Sequence, residues 1–519
     1  MIRSTLQWWT TVLLAPLAAC QETAIPGPQC QDFASSYKLS AEQIAKAGIS
    51  NITANNVEIA LNFERTNWAT QSVTNDPFYH IPSNINWTSS IPAGTVFAVE
   101  NVTNTSLYTL PAPISMSRII YQTETINGTN VPASAYVLWP YLPRTFPNVT
   151  GLPVIGWGHG TSGVLPDCAP SHIRNLWYQF AGPYEMAMQG YVVVAPDYAG
   201  LGVSSTAPAP PPSSPSQSSS SSNTTSSSSS SDPHQSILHP YLSNPSHGLD
   251  ILHAVRAARA AFPSLSTSHV VIGHSQGGGA AWGAAVEAAK HPQNFPGYLG
   301  AIAGSPAPSG ANYLTLLSAA TASYSPLAAY IAMGVHAAYP AVALDELFTP
   351  AGLARFELMR EVGGCSSVAT ELFAANSETP ATPWVRPDIA DFWATRAFAG
   401  ATDYVGEDVG GVETPLLVLQ GDADSIVVPG QTAESVRRAC EANAESSVEL
   451  VSFENVTHVP VMFAGQRVWL DWVADRFNGV PVEKGCRNRT LSPLRREEGA
   501  YLEETNFVLE WVTQGYQTA

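Results

Sequence analysis

Eight short apolar runs recur between residues 117 and 454: "SRIIYQT" (117–123), "SAYVLWP" (134–140), "LPVIGWGHG" (152–160), "GYVVVAPD" (190–197), "HVVIGHS" (269–275), "YLGAIAGS" (298–305), "PLLVLQGD" (415–422) and "VELVSFE" (448–454). Each is strand-like in pattern and is followed by turn or helix signals. Helical patterns lie between several of them, notably "HGLDILHAVRAARAAF" (247–262) and "GAAWGAAVEAAKH" (279–291). Strands that alternate with helices predict an α/β fold, a mostly parallel central sheet covered by helices on both faces.

Two insertions break this rhythm. Residues 206–232, "TAPAPPPSSPSQSSSSSNTTSSSSSSD", hold almost no apolar side chain to offset their ordering entropy, so disorder is expected. Residues 306–410 are Ala-rich and helical in pattern, far longer than a strand crossover needs, and are read as a helical cap or lid. The expected organisation is a signal peptide at 1–20 and an N-terminal extension packed on the core at 21–110. The core's first part follows at 111–305, the cap at 306–410, the core's second part at 411–490 and a C-terminal extension at 491–519.

The N-terminus, "MIRSTLQWWTTVLLAPLAAC", has one early Arg3, an apolar stretch and small residues before cleavage, as a secretory signal does. Nine N-x-[ST] sequons favour an exported glycoprotein over a bacterial lipoprotein. Asn51, Asn86, Asn101, Asn104, Asn127, Asn148, Asn223 and Asn488 are taken as glycosylation sites. The ninth, Asn455, stands three residues before His458, where a glycan would crowd a site. Cleavage after Cys20 leaves Cys30, Cys168, Cys365, Cys440 and Cys486, with no CxxC pair for a metal or a redox couple. A net charge of −18 with only four lysines disfavours nucleic acid as a partner. No metal or cofactor motif appears, and no later segment reads as a clean transmembrane helix.

One motif carries chemistry. Gly273-His274-Ser275-Gln276-Gly277 is G-x-S-x-G, placed directly after the strand "HVVI" and directly before a helix. Small flanking residues suit a strained strand-to-helix turn that exposes a nucleophilic serine. A serine needs a base, and His458 is the one histidine after His336; it follows the strand "VELVSFE" in "NVTHVPVM". The base needs an acid, which "PLLVLQGDADSIVVP" offers as Asp422 or Asp424. Asp424 is preferred because it lies beyond the turn. Oxyanion donors are expected from the backbone of Gln276 and of Gly160 and Thr161 in "GWGHGTSG". That glycine-rich loop lacks the lysine of a phosphate-binding loop.

Taken in order, "HGTSGVLPDCAPS" (159–171), "GYVVVAPDYAGLG" (190–202), "HPYLSNPSHGLDILHAVRAAR" (239–259), "GHSQGG" (273–278), "GDADSIVVP" (421–429) and "THVPVMF" (457–463) give residues 110–490 a clear likeness. The chain resembles the secreted fungal lipases of the Candida antarctica lipase A type and their bacterial secretory-lipase relatives. The resemblance implies an α/β-hydrolase fold with an inserted helical lid, the triad Ser275, Asp424 and His458, and disulfides Cys168–Cys365 and Cys440–Cys486. It implies a carboxylic ester substrate, a lipid or another small molecule, with a lipid–water interface among the places where the protein could meet it. Two other readings stand beside it. A serine peptidase of the same fold would need charged groups in the cap, yet Arg355, Glu357, Arg360 and Glu361 read as a solvated helix face. A non-catalytic binding protein on the same scaffold would be expected to lack a triad member.

Overall fold

The computed structural model describes residues 36–207, 236–318, 325–373, 383–405, 414–497 and 499–501. The leader, Cys20, Cys30, Asn223, nearly all of the Ser-rich insertion and the end of the chain lie outside the described residues.

Ten strands form one sheet: β1 Val96–Glu100, β2 Ile114–Glu124, β3 Asn130–Pro140, β4 Leu152–Gly158, β5 Val192–Pro196, β6 Leu265–His274, β7 Tyr298–Gly304, β8 Leu416–Gly421, β9 Ser447–Phe453 and β10 Gly485–Leu491. Their order is β1-β2-β3-β5-β4-β6-β7-β8-β9-β10. β1, β2 and β3 form an antiparallel meander that meets β5 antiparallel. Every pairing from β5 through β4 to β10 is parallel. All eight apolar runs become strands. β5 and β8 are buried along their whole length, as continuous apolar strands covered on both faces must be.

Helices α1 Ala41–Ala47 and α2 Asn51–Thr66 precede the sheet, and α3 Pro183–Met188, α4 Asn244–Ala261 and α5 Gln276–Lys290 link its strands. Between β7 and β8 lies a helical cap of α6 Gly310–Leu317, α7 Pro326–Ala338, α8 Leu344–Leu347, α9 Pro350–Val362, α10 Ser366–Phe373 and α11 Trp393–Thr402. α12 Pro429–Ala442 joins β8 to β9, and α13 Pro460–Ala464 with α14 Gln466–Asn478 joins β9 to β10. No described helix is long and apolar enough to cross a membrane.

The N-terminal segment divides in two. Val57 and Leu61 of α2 share an apolar cluster with Ile331, Phe356, Phe373 and Phe398 of the cap, whereas Val73 and Tyr79 pack against Ile120 of the sheet. The Glu64 carboxylate of α2 accepts the backbone N–H groups of Cys365, Ser367 and Val368 at 2.8, 2.9 and 3.1 Å, and so caps the start of α10. At the other end of α10, the Arg355 guanidinium donates to the Leu372 carbonyl and lies over the Trp384 ring. Arg355 is therefore buried, a correction to the solvated face expected of it. The periodicity of α9 did not show that one of its cations turns inward.

Burial sets the acid behaviour. It lowers His159, His172, His253 and His269 to about 4, lowers His239 to about 3, and pushes His247 and His274 well down. Burial also raises Glu64 and Asp250 to about 7 and Asp197 to about 6. The imidazoles contribute stability above pH 6.5 that is lost as pH falls towards their folded values. The carboxyls contribute stability in acid that is lost as pH rises through 6 to 7. Burial raises Glu124 and Asp167 as well, so seven imidazoles oppose five carboxyls, and on balance unfolding between pH 5 and pH 7 takes up protons. Tm at a fixed scan rate is expected to fall by roughly 5 °C or more from pH 7 to pH 5; a rise would show that the carboxyls dominate.

Candidate active site

The candidate residues gather at the C-terminal ends of the parallel strands, where open α/β sheets carry their sites. Ser275 follows β6, Asp424 follows β8, His458 follows β9 and the 159–163 loop follows β4.

Ser275 has φ 59° and ψ −121°, a conformation that side chains rarely adopt. Its N–H donates to the Gly304 carbonyl of β7 at 2.9 Å, and its own carbonyl accepts from Ala307 N at 2.8 Å. The motif's glycines are needed for close approach. A Cβ on Gly273 would lie 1.9 Å from the Gly277 carbonyl oxygen, and one on Gly277 would lie 1.9 Å from that of Gly158.

His458 Nδ1 is 2.7 Å from Asp424 Oδ2. The other oxygen, Oδ1, accepts from Ile426 N and Val427 N, both at 2.9 Å, and the Gln420 amide adds a bond to Oδ2 at 3.3 Å. Burial alone would raise the Asp424 carboxyl. The hydrogen bond and charge of His458, with the Val427 N–H, outweigh it and bring the group to about 2. Asp424 is thus ionised throughout the working pH range. Asp422 is exposed and accepts the Asn455 N–H at 2.6 Å, a bond that ties the turn after β8 to the one after β9.

The backbone N–H groups of Gly160, Thr161 and Gln276 have no acceptor among the described residues. The Gln276 side-chain amide is held at 3.0 Å by His239 Nε2. His239 Nδ1 faces the Ala199 carbonyl at 3.1 Å and must donate there, which leaves Nε2 free to accept the amide. This clamp was not foreseen. Neither was Tyr178, whose hydroxyl lies 2.7 Å from His274 Nδ1. Leu176, Trp177, Tyr178 and Gln179 have φ of 55°, 53°, 54° and 43°, four successive left-handed residues with no glycine among them. Such backbone costs roughly 1–2 kcal/mol per residue. "LWYQ" carries no glycine or asparagine to announce the turn.

Cys168 and Cys365 are disulfide-bonded, as are Cys440 and Cys486. The first ties the segment after the 159–163 loop to the start of α10, and the second ties α12 to β10. Of the sequon asparagines, Asn51, Asn86, Asn101, Asn104, Asn127, Asn148, Asn455 and Asn488 are described, and all are exposed. Among the described residues no group of three His, Cys, Asp or Glu side chains is arranged to hold a metal ion.

A parallel sheet with a left-handed serine between its strand and helix, and with a paired histidine and aspartate at the ends of two later strands, has the architecture of hydrolases with a nucleophile elbow. The model of the alpha/beta hydrolase family matches residues 156–471, and the chain belongs to that family. Solved structures agree on the fold. Candida antarctica lipase A in its closed state is similar with a TM-score of 0.58 at 16% identity, over 80% of this chain and 88% of that one. The rice cell wall degrading esterase LipA from Xanthomonas oryzae is similar with a TM-score of 0.52 at 18% identity, over 75% of this chain and 98% of that one. A sequence comparison with curated proteins finds no match.

Proposed function

We propose that the protein is a secreted serine hydrolase that cleaves carboxylic esters, with triacylglycerol or other apolar esters as its substrates. One observation carries the reading: the His458–Asp424 pair at 2.7 Å shares the C-terminal edge of the sheet with the left-handed Ser275. In this mechanism Ser275 Oγ attacks the ester carbonyl while His458 Nε2 takes its proton, and Asp424 steadies the imidazolium. The tetrahedral oxyanion is received by the N–H groups of Gln276 and of Gly160 or Thr161. Collapse expels the alcohol with the proton from His458. Water activated by the same imidazole then releases the carboxylate and restores the serine.

Both named neighbours are a lipase and an esterase, which supports an ester over a peptide substrate. The cap's charges weigh the same way, since Arg355 is engaged with Leu372 and Trp384 and Arg360 pairs with Glu357. Export is supported by two disulfides and by eight exposed sequons. The test is hydrolysis of p-nitrophenyl esters from acetate to palmitate. Rates that rise with chain length are expected of a lipase, and a short-chain optimum would make the protein a general esterase. A folded protein inert on every ester would overturn the reading.

A further inference from the structure

Two parts of the site, the elbow with its base loop and the 159–163 loop, meet at one phenol. His274 Nε2 lies 3.0 Å from the backbone carbonyl of His458 and must donate to it. Its Nδ1 is then bare, because burial keeps this imidazole neutral, and it accepts the Tyr178 hydroxyl proton at 2.7 Å. The same phenol closes on the 159–163 loop. A Cβ on Gly160 would lie 2.0 Å from the Tyr178 hydroxyl oxygen, so the ring rests directly on the glycine backbone. The four left-handed residues are what deliver the side chain here. Strained backbone of this kind persists where its surroundings over-determine it, and it clusters at active sites.

We propose that Tyr178 is a positioning residue which braces the Gly160 loop directly and, through His274, fixes the His458 backbone beside the nucleophile turn. The inference rests on the serine-hydrolase reading above. Tyr178 donates to His274, the residue before Ser275, and His274 in turn donates to the carbonyl of the base, so the elbow and the base loop are held at a fixed separation. The Ser275 proton passes to His458 when the ester arrives, and no proton leaves Tyr178.

The experiment compares wild type, Tyr178→Phe, His274→Gln and the double variant, with kcat and KM on a p-nitrophenyl ester, the rate of Ser275 modification by a p-nitrophenyl phosphonate, and Tm. Tyr178→Phe keeps the ring on Gly160 and removes only the hydroxyl. Its kcat is expected to fall by roughly 10- to 100-fold, the size of effect that misplacement by up to about 1 Å produces. KM should stay within about twofold, the phosphonate rate should fall in parallel with kcat, and Tm should barely move. The double variant should be no worse than the weaker single one, because the two groups act as a unit. A Tyr178→Phe protein with wild-type kcat and phosphonate rate would overturn this inference while leaving the hydrolase reading intact. A wild type inert to both ester and phosphonate would overturn the hydrolase reading and this inference together.

Discussion

Ser275→Ala is expected to lower kcat for ester hydrolysis by about 10⁵-fold or more while leaving the fold unchanged. The size follows from the absence of a substitute. Gln276 begins a helix and Gly277 is held against Gly158, so no neighbouring hydroxyl can slide into the position that the left-handed residue creates. Alanine keeps the conformational demand of φ 59° without adding bulk, and Tm should therefore stay within a few degrees. The oxyanion donors remain, so residual activity above the uncatalysed rate is expected and should not be mistaken for contamination. Activity of the variant within tenfold of wild type would mean that another group is the nucleophile.

Asp424→Asn is expected to cost about 10⁴-fold in kcat, and Asp422→Asn less than about twofold. Asp424 accepts from two backbone N–H groups and from His458 Nδ1. An amide retains its carbonyl for Ile426 and Val427 and must then turn its NH₂ towards Nδ1. That interaction requires Nδ1 to be bare, so the ring proton moves to Nε2 and the lone pair that should take the serine proton disappears. Among the described residues Asp422 holds only the Asn455 N–H, a bond that asparagine's carbonyl reproduces. Parallel kinetics on the two variants decide between the acids, and equal losses would count against the assignment to Asp424.

Much of the architecture was legible because parallel strands buried on both faces leave long apolar runs in the sequence. "GYVVVAPD" and "PLLVLQGD" have no other sensible home. The elbow was legible for a similar reason, since the close approaches at Gly273 and Gly277 admit no side chain. β1 and β10 were not read as strands. They form the sheet's two edges, and β10, "GCRNRTL", is exposed through most of its length and shows no apolar pattern. Tyr178 escaped because a left-handed turn built without glycine has no compositional mark. The inward turn of Arg355 and the seating of α2 against the cap escaped because amphipathic spacing shows that a face is covered, and never by what.

The Glu64 cap on α10 has a consequence for biogenesis. Glu64 is made early, and the N–H groups it receives belong to residues 301 to 304 positions later. At a synthesis rate of about 5–20 residues per second, the carboxylate waits roughly 15–60 s for its partner. Throughout that interval the apolar side of α2, with Val57 and Leu61, has no cap to cover it. The first of the described helices to be made thus wait for neighbours that come some 300 residues later, and in that interval their apolar side is a stretch of the newborn chain that gains from a chaperone's protection.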